Sequence, residues 1–207
     1  MAAAADPAIG RLNHGGYRMR SHCTASLVRP DLAVTAAHCL RRGVDDLHLL
    51  LGYAQGDYAE APPLSGVRVV SVERDQAVLC LAGPAAAVPY PVGAPPRLGE
   101  PLTVAGYPAP AVHALTRLDC AVTGLGPGGV FALDCPVRVG ASGAPVLRAG
   151  AGGPEIVGLI VATSETVSVG YGLDADDLPA PGRDACAGAD RKRPPAPRGG
   201  EAATGQP

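Results

Sequence analysis

A histidine, a serine and a carboxylate, each set among small or apolar residues, are the groups of this sequence best placed to do chemistry. His38 ends the segment Cys23-Thr-Ala-Ser-Leu-Val-Arg-Pro-Asp-Leu-Ala-Val-Thr-Ala-Ala-His38-Cys39. Two apolar runs joined by Arg-Pro-Asp deliver the imidazole after small side chains that leave space around it, and an imidazole held so can act as a base. Ser142 lies in Gly140-Ala-Ser142-Gly-Ala-Pro145. Glycines there permit a sharp turn that exposes the hydroxyl, and they free backbone N–H groups, those of Gly140 and Ser142, to bind an oxyanion. Asp75 heads the apolar run Asp75-Gln-Ala-Val-Leu-Cys-Leu81, where a carboxylate can accept an imidazole N–H and fix its tautomer. Each has a plainer account when taken alone: a core or turn histidine, a common glycine turn, a strand-capping acid. It is the three together that point to a hydroxyl nucleophile activated by a base.

Such groups need a scaffold that gathers them. With 28 Gly and 22 Pro in 207 residues, the chain cannot be built of long helices. Hydrophobic residues at 47% are enough for a core, yet aromatics are only 3% and Trp is absent, so the core is aliphatic. Short apolar stretches bounded by Gly, Pro, Asp or Asn predict strands at 23–28, 32–35, 47–51, 67–72, 77–81, 102–105, 118–122, 130–133, 145–147, 156–162 and 166–169. Their spacing is that of an all-β barrel or sandwich. Residues 1–20 read as a lead-in, 21–83 as a first β unit, 84–101 as a Pro-rich connector, 102–178 as a second β unit and 179–207 as a disordered tail. Lys+Arg 17 against Asp+Glu 19 leaves a net charge of −2; no basic field exists to hold a nucleic-acid backbone. No apolar run has the length of a membrane-spanning helix.

The three segments resemble the trypsin/chymotrypsin-like serine peptidases, in particular their smaller bacterial members. Thr35-Ala-Ala-His38-Cys39 matches the family's histidine motif residue for residue, Asp75-Gln-Ala-Val-Leu79 matches its aspartate motif loosely, and Gly140-Ala-Ser142-Gly-Ala-Pro145 matches its serine motif with two substitutions. The order His, Asp, Ser is the family's order. The resemblance covers residues 9–170. It implies two antiparallel six-stranded β-barrels with the active site in the cleft between them. His38 and Asp75 then come from the first barrel, and Ser142 with the oxyanion donors Gly140 and Ser142 from the second. It further implies a serine endopeptidase acting on peptide or protein through an acyl-enzyme, without a cofactor. Ile156-Val-Gly-Leu-Ile-Val-Ala162 resembles the strand that lines the substrate pocket, which places Ile160, Val161 and Ala162 against substrate. Pro136, six residues before the serine, stands where trypsins hold the acid that selects Lys or Arg, so a small or apolar preference is expected instead. Ala141 stands where zymogen-activated relatives carry an Asp, so that switch is absent.

The resemblance also pairs Cys23 with Cys39. Cys120 and Cys135 fall on adjacent predicted strands and are expected to form a second bridge; Cys80 reads as a buried free thiol, and Cys186 lies in the tail. A Cys2His2 metal site from His22-Cys23 and His38-Cys39 lacks the required spacings, and no metal is expected. Gly124-Leu-Gly126-Pro-Gly-Gly129 fits Gly-x-Gly-x-x-Gly formally, but no helical period follows it, so it reads as a hairpin turn rather than a dinucleotide loop. The bridges point to a secreted or periplasmic protein, although Met1 to Gly10 does not read as a secretory signal because it has no basic region and Asp6-Pro7 interrupts it. A second reading keeps the fold without catalysis: Ala141 and the loose aspartate motif would also suit a binding or regulatory homologue.

Overall fold

A computed structural model describes residues 5–15, 22–41, 45–181 and 186. Twelve strands make two antiparallel six-stranded sheets. The first sheet contains β1 (Ile9–His14), β2 (His22–Arg29), β3 (Leu32–Ala36), β4 (Leu47–Leu51), β5 (Leu64–Ser71) and β6 (Gln76–Leu81), in the order β4-β1-β2-β3-β6-β5. It curls as a half-barrel without closing. The second contains β7 (Pro101–Gly106), β8 (Thr116–Leu125), β9 (Val130–Leu133), β10 (Pro145–Gly150), β11 (Gly153–Thr163) and β12 (Ser168–Gly172), and it closes in the order β10-β11-β12-β9-β8-β7. This is the double-barrel fold that the resemblance implied, with the first barrel left open. Among the described residues no helix is long and apolar enough to cross a membrane.

Closing a barrel with one Phe takes space as well as apolar surface. Phe131 fills the second barrel because Gly158 and Gly170 face it: a Cβ at either would come within 2.6 Å of its ring. Val104, Val122, Leu133, Val146 and Val157 complete that core. In the first half Ile9, Leu12, Leu27, Leu32, Leu49 and Leu79 are buried, and this cluster runs on through Ala105, Tyr107, Leu147 and Leu159 into the second half. A shared apolar seam of this kind holds two halves rigidly against each other. Residues 82–100 cross between the sheets without a named strand, touching the second through a bridge of Val92 with Ile156.

Strand β1 falls inside the stretch expected to be a lead-in, and it is an interior strand of the first sheet, next to the edge strand β4 and pairing with β2 and β4. Its sequence Ile-Gly-Arg-Leu-Asn-His hides it, because Arg11 and Asn13 are buried rather than solvent-facing. The Arg11 guanidinium lies 5.3 Å from the Tyr53 ring centroid, and burial lowers its pKa from the usual arginine value. The two expected disulfides, Cys23–Cys39 and Cys120–Cys135, are formed. Cys80 is not a free thiol: it is bridged to Cys186 across 106 positions of sequence. Gly66, opposite Cys80 on β5, makes room for the incoming residue, since a Cβ there would lie 3.2 Å from that of Cys186. Apart from Cys186, the expected tail beyond residue 181 lies outside the described residues. The Gly124–Gly129 segment turns the chain from β8 into β9, with Gly126 N–H donating to Val130 C=O at 2.8 Å.

Candidate active site

His38 sits in the 3₁₀ turn Ala37–Leu40 that ends β3, and Asp75 immediately precedes β6. Pairing of β3 with β6, register Ala36 to Gln76, is what sets them side by side. Asp75 adopts φ +53°, a left-handed conformation that Asp tolerates better than most residues. That bend lets its C=O accept the Ala37 N–H at 2.8 Å while its carboxylate reaches forward. Oδ1 accepts the His38 backbone N–H at 2.8 Å and Oδ2 meets the ring Nδ1 at 2.5 Å. A carboxylate only accepts, so Nδ1 carries a proton, and in the neutral ring it is Nε2, away from Asp75, that holds the lone pair. Both side chains are 27% exposed. The 3₁₀ turn is tied from behind by the His14 ring, whose Nε2 donates to Cys39 C=O at 2.9 Å. Gln76 Nε2 donates across the seam to Gly172 C=O at 2.8 Å and so fixes the Asp75 end of β6 to β12.

Ser142 arrives from the other half, in the turn before β10. Its C=O accepts the Thr24 N–H at 2.8 Å and lies 3.9 Å from the Sγ of Cys39, the neighbour of His38. The Cys23–Cys39 bridge thus lies between the histidine and serine segments. Their backbones are brought together, while the Ser142 hydroxyl makes no hydrogen bond to the His38 ring or to any other described residue. The turn itself is held closely. Gly140 has φ +100°, and a Cβ on it would come within 2.5 Å of both the His22 ring and the Tyr107 C=O; Gly143, at φ +77°, is as tightly confined. Ala141 N–H donates to Arg138 C=O and Gly143 N–H to Ile160 C=O. Among the described residues the N–H groups of Gly140 and Ser142 donate to no backbone carbonyl outside the strands.

The residues expected to meet substrate come from two segments joined by the Thr163 hydroxyl, which donates to Val137 C=O. Pro136 lines a cavity of about 210 Å³ behind the Gly140–Ser142 turn, with Val104, Leu118, Ala141 and the 108–111 loop. Ile160 is buried, with its N–H on Ala144 C=O and its own C=O taken by Gly143. Val161 falls at an irregularity in the pairing of β11 with β12 and is half-buried, and Ala162 is exposed beyond it. A metal has no set of donors at His38: the donor atoms of Cys23, His38 and Cys39 lie within 4.8 Å of one another, but the two sulfurs are joined in the disulfide and are not thiolates.

A family model described as a trypsin-like peptidase domain matches residues 23–159, the stretch that contains His38, Asp75 and Ser142. The chain belongs to that family. Among solved structures it is similar to the thermostable serine protease AL20 from an extremophilic microorganism, with TM-score 0.66 and 19% identity over 82% of this chain and 93% of that one. Vibrio cholerae VesB protease gives TM-score 0.68 and 20% identity over 83% of this chain and 63% of that one. The scabies mite inactivated protease paralogue S-I1 gives 0.66 and 18% over 83% and 92%. Likeness at this identity is a likeness of fold. No curated protein matches the chain.

Thr24 escaped the sequence reading. Its hydroxyl and N–H both reach the Gly140–Ser142 turn, yet nothing marks it in the sequence, where it sits as one small residue in an apolar strand.

Proposed function

We propose that this trypsin-like peptidase domain is a serine endopeptidase, with Ser142 as nucleophile, His38 as general base and acid, and Asp75 as the group that orients the ring. The observation that carries this reading is the double grip of Asp75 on His38, backbone and ring together, which holds the neutral ring in the tautomer whose Nε2 lone pair lies on the side away from the acid. In the reaction the Ser142 Oγ attacks the scissile carbonyl carbon and its proton passes to Nε2. The carbonyl oxygen becomes an oxyanion received by the N–H groups of Gly140 and Ser142, donors worth about 3 kcal/mol each in the barrier. Collapse of the tetrahedral intermediate expels the amine, which takes the proton from Nε2, and an acyl-enzyme remains. Water then attacks the ester, with His38 again removing the proton, and Ser142 is released.

Val161 and Ala162, apolar and accessible beside the turn, favour a small or apolar residue before the cut; a peptide or protein is the substrate class. Three disulfides support work in an oxidising compartment, the periplasm or the cell exterior. The test is labelling by a fluorophosphonate, which requires an activated serine. The native protein is expected to be modified, and Ser142→Ala is expected to remain unmodified.

The second reading, an inactive homologue that binds or regulates, is favoured by one observation: the Ser142 hydroxyl is not hydrogen-bonded to the ring. One structure of similar fold is that of a protease paralogue described as inactivated. Against it, catalytic hydrogen bonds often tighten only with substrate present. Folded, disulfide-intact protein that resists the fluorophosphonate would decide for this reading.

A further inference from the structure

The Gly140–Ser142 turn carries no charge that could hold its shape, since Ala141 is 1% exposed and has no polar side chain. Glycine at a positive φ exchanges peptide orientations at small cost, so a lasting orientation needs something outside the turn to hold it. Four consecutive carbonyls are held in this way. Val139 C=O accepts the Ala109 N–H at 2.8 Å, Gly140 C=O accepts the Thr24 hydroxyl at 3.1 Å, Ala141 C=O accepts the Ala144 N–H at 2.8 Å, and Ser142 C=O accepts the Thr24 N–H at 2.8 Å. The C=O and N–H of one trans peptide point in opposite directions. Val139 C=O held on Ala109 therefore turns the Gly140 N–H away from the 107–115 loop, and Ala141 C=O held on Ala144 turns the Ser142 N–H likewise away from Ala144.

Thr24 links these anchors. Its fully buried Oγ1 donates to Gly140 C=O and also accepts the Tyr107 N–H at 3.2 Å, at the root of the 107–115 loop that carries Ala109. At its far end that loop is tied to the first half by His113, whose Nδ1 lies 2.6 Å from the Tyr53 hydroxyl and whose C=O accepts the Gln55 N–H at 2.7 Å. The loop is thus fastened on both sides of Ala109.

We infer that the Thr24 hydroxyl and the Ala109 N–H are positioning groups for the oxyanion site: together they hold the peptides on either side of Gly140 so that its N–H faces the substrate without any ion pair. This rests on the reading of Gly140 and Ser142 as oxyanion donors. Positioning of this kind acts on the transition state more than on the ground state, because only the tetrahedral oxygen carries the charge.

The test uses Thr24→Val, which keeps the shape and removes the hydroxyl, with Thr24→Ser as the conservative variant that retains it. The readouts are turnover of a peptide 4-nitroanilide with a small residue before the cut and inhibition by the matching peptide aldehyde, whose adduct places an oxygen in the same site. Thr24→Val is expected to lower kcat about 100-fold, the order lost with one oxyanion donor, with KM within about threefold and the aldehyde inhibition constant raised about 100-fold. Thr24→Ser is expected to stay within about threefold on both. Folded Thr24→Val with unchanged kcat and aldehyde affinity would overturn the inference. If that variant does not fold, Ala109→Pro, which deletes the N–H, decides the matter by the same two numbers. A native protein that neither takes the fluorophosphonate nor binds the aldehyde removes the underlying reading and the inference with it; a native protein that does both, beside unaffected variants, overturns the inference alone.

Discussion

Replacing Asp75 with Asn tests the geometry at its most constrained point. The carboxylate accepts twice from His38, at 2.8 Å from the backbone N–H and at 2.5 Å from the ring. An amide of the same shape has one oxygen and one NH2, so either orientation sets a donor against a donor. If the oxygen keeps the backbone N–H, the NH2 faces Nδ1, and the ring must move its proton to Nε2 to accept from it. A ring protonated at Nε2 cannot take the Ser142 proton. The consequence is a fall in kcat of about 10⁴-fold, which is roughly 5 kcal/mol of barrier at 1.36 kcal/mol per tenfold. Folding should suffer far less, by about 1–2 kcal/mol, because one hydrogen bond to the backbone survives; for a chain of this size that is a drop in Tm of about 2–8 °C. Steady-state kinetics on a peptide 4-nitroanilide, with thermal unfolding followed alongside, measures both. A folded Asp75→Asn protein that keeps kcat within tenfold of the native value would refute the argument, for it would show that the ring does not depend on this carboxylate for its tautomer.

Gly140→Ala places a Cβ 2.5 Å from the His22 ring and from the Tyr107 C=O at a φ of +100°. The turn must shift, and a loss of activity of about 100-fold or more is expected; activity within threefold in the same kinetic assay would show that the turn is not the oxyanion site. Cys186→Ser opens a bridge that closes 106 positions of sequence, so urea unfolding should show about 2–4 kcal/mol less stability with kcat unchanged, and an unmoved midpoint would contradict this. Arg148 donates to both oxygens of Glu100 and to Glu155, and its hydrogen bond to Glu100 holds that carboxyl below the usual carboxylate range. A depressed carboxyl stabilises the fold above its unfolded pKa, near 4.5, and loses that contribution as the pH falls through its folded value. Arg148→Met should therefore cost about 2 kcal/mol at pH 7, with the deficit shrinking below about pH 4; urea melts across that range that give a constant difference would argue against it.

What the linear order determined about this chain is local. The small residues around His38 and Ser142, the acid before an apolar run and the short aliphatic stretches between turn formers are all properties of neighbours in sequence, and they were enough to indicate an all-β, two-part fold and to nominate His38, Asp75, Gly140 and Ser142. Tertiary structure decided what depends on distant partners. Strand β1 was illegible because Arg11 and Asn13 are buried in it, so its pattern lacks the alternation that marks a half-exposed strand. The partner of Cys80 was illegible because a bridge across 106 positions leaves no trace near either end. That Thr24 reaches both Tyr107 and Gly140 follows from how two sheets pack at their seam. Residue types report what a side chain can do, but hydrogen bonds are directional and short-ranged, so which groups meet, and which way a peptide points, is settled only once the halves are in contact.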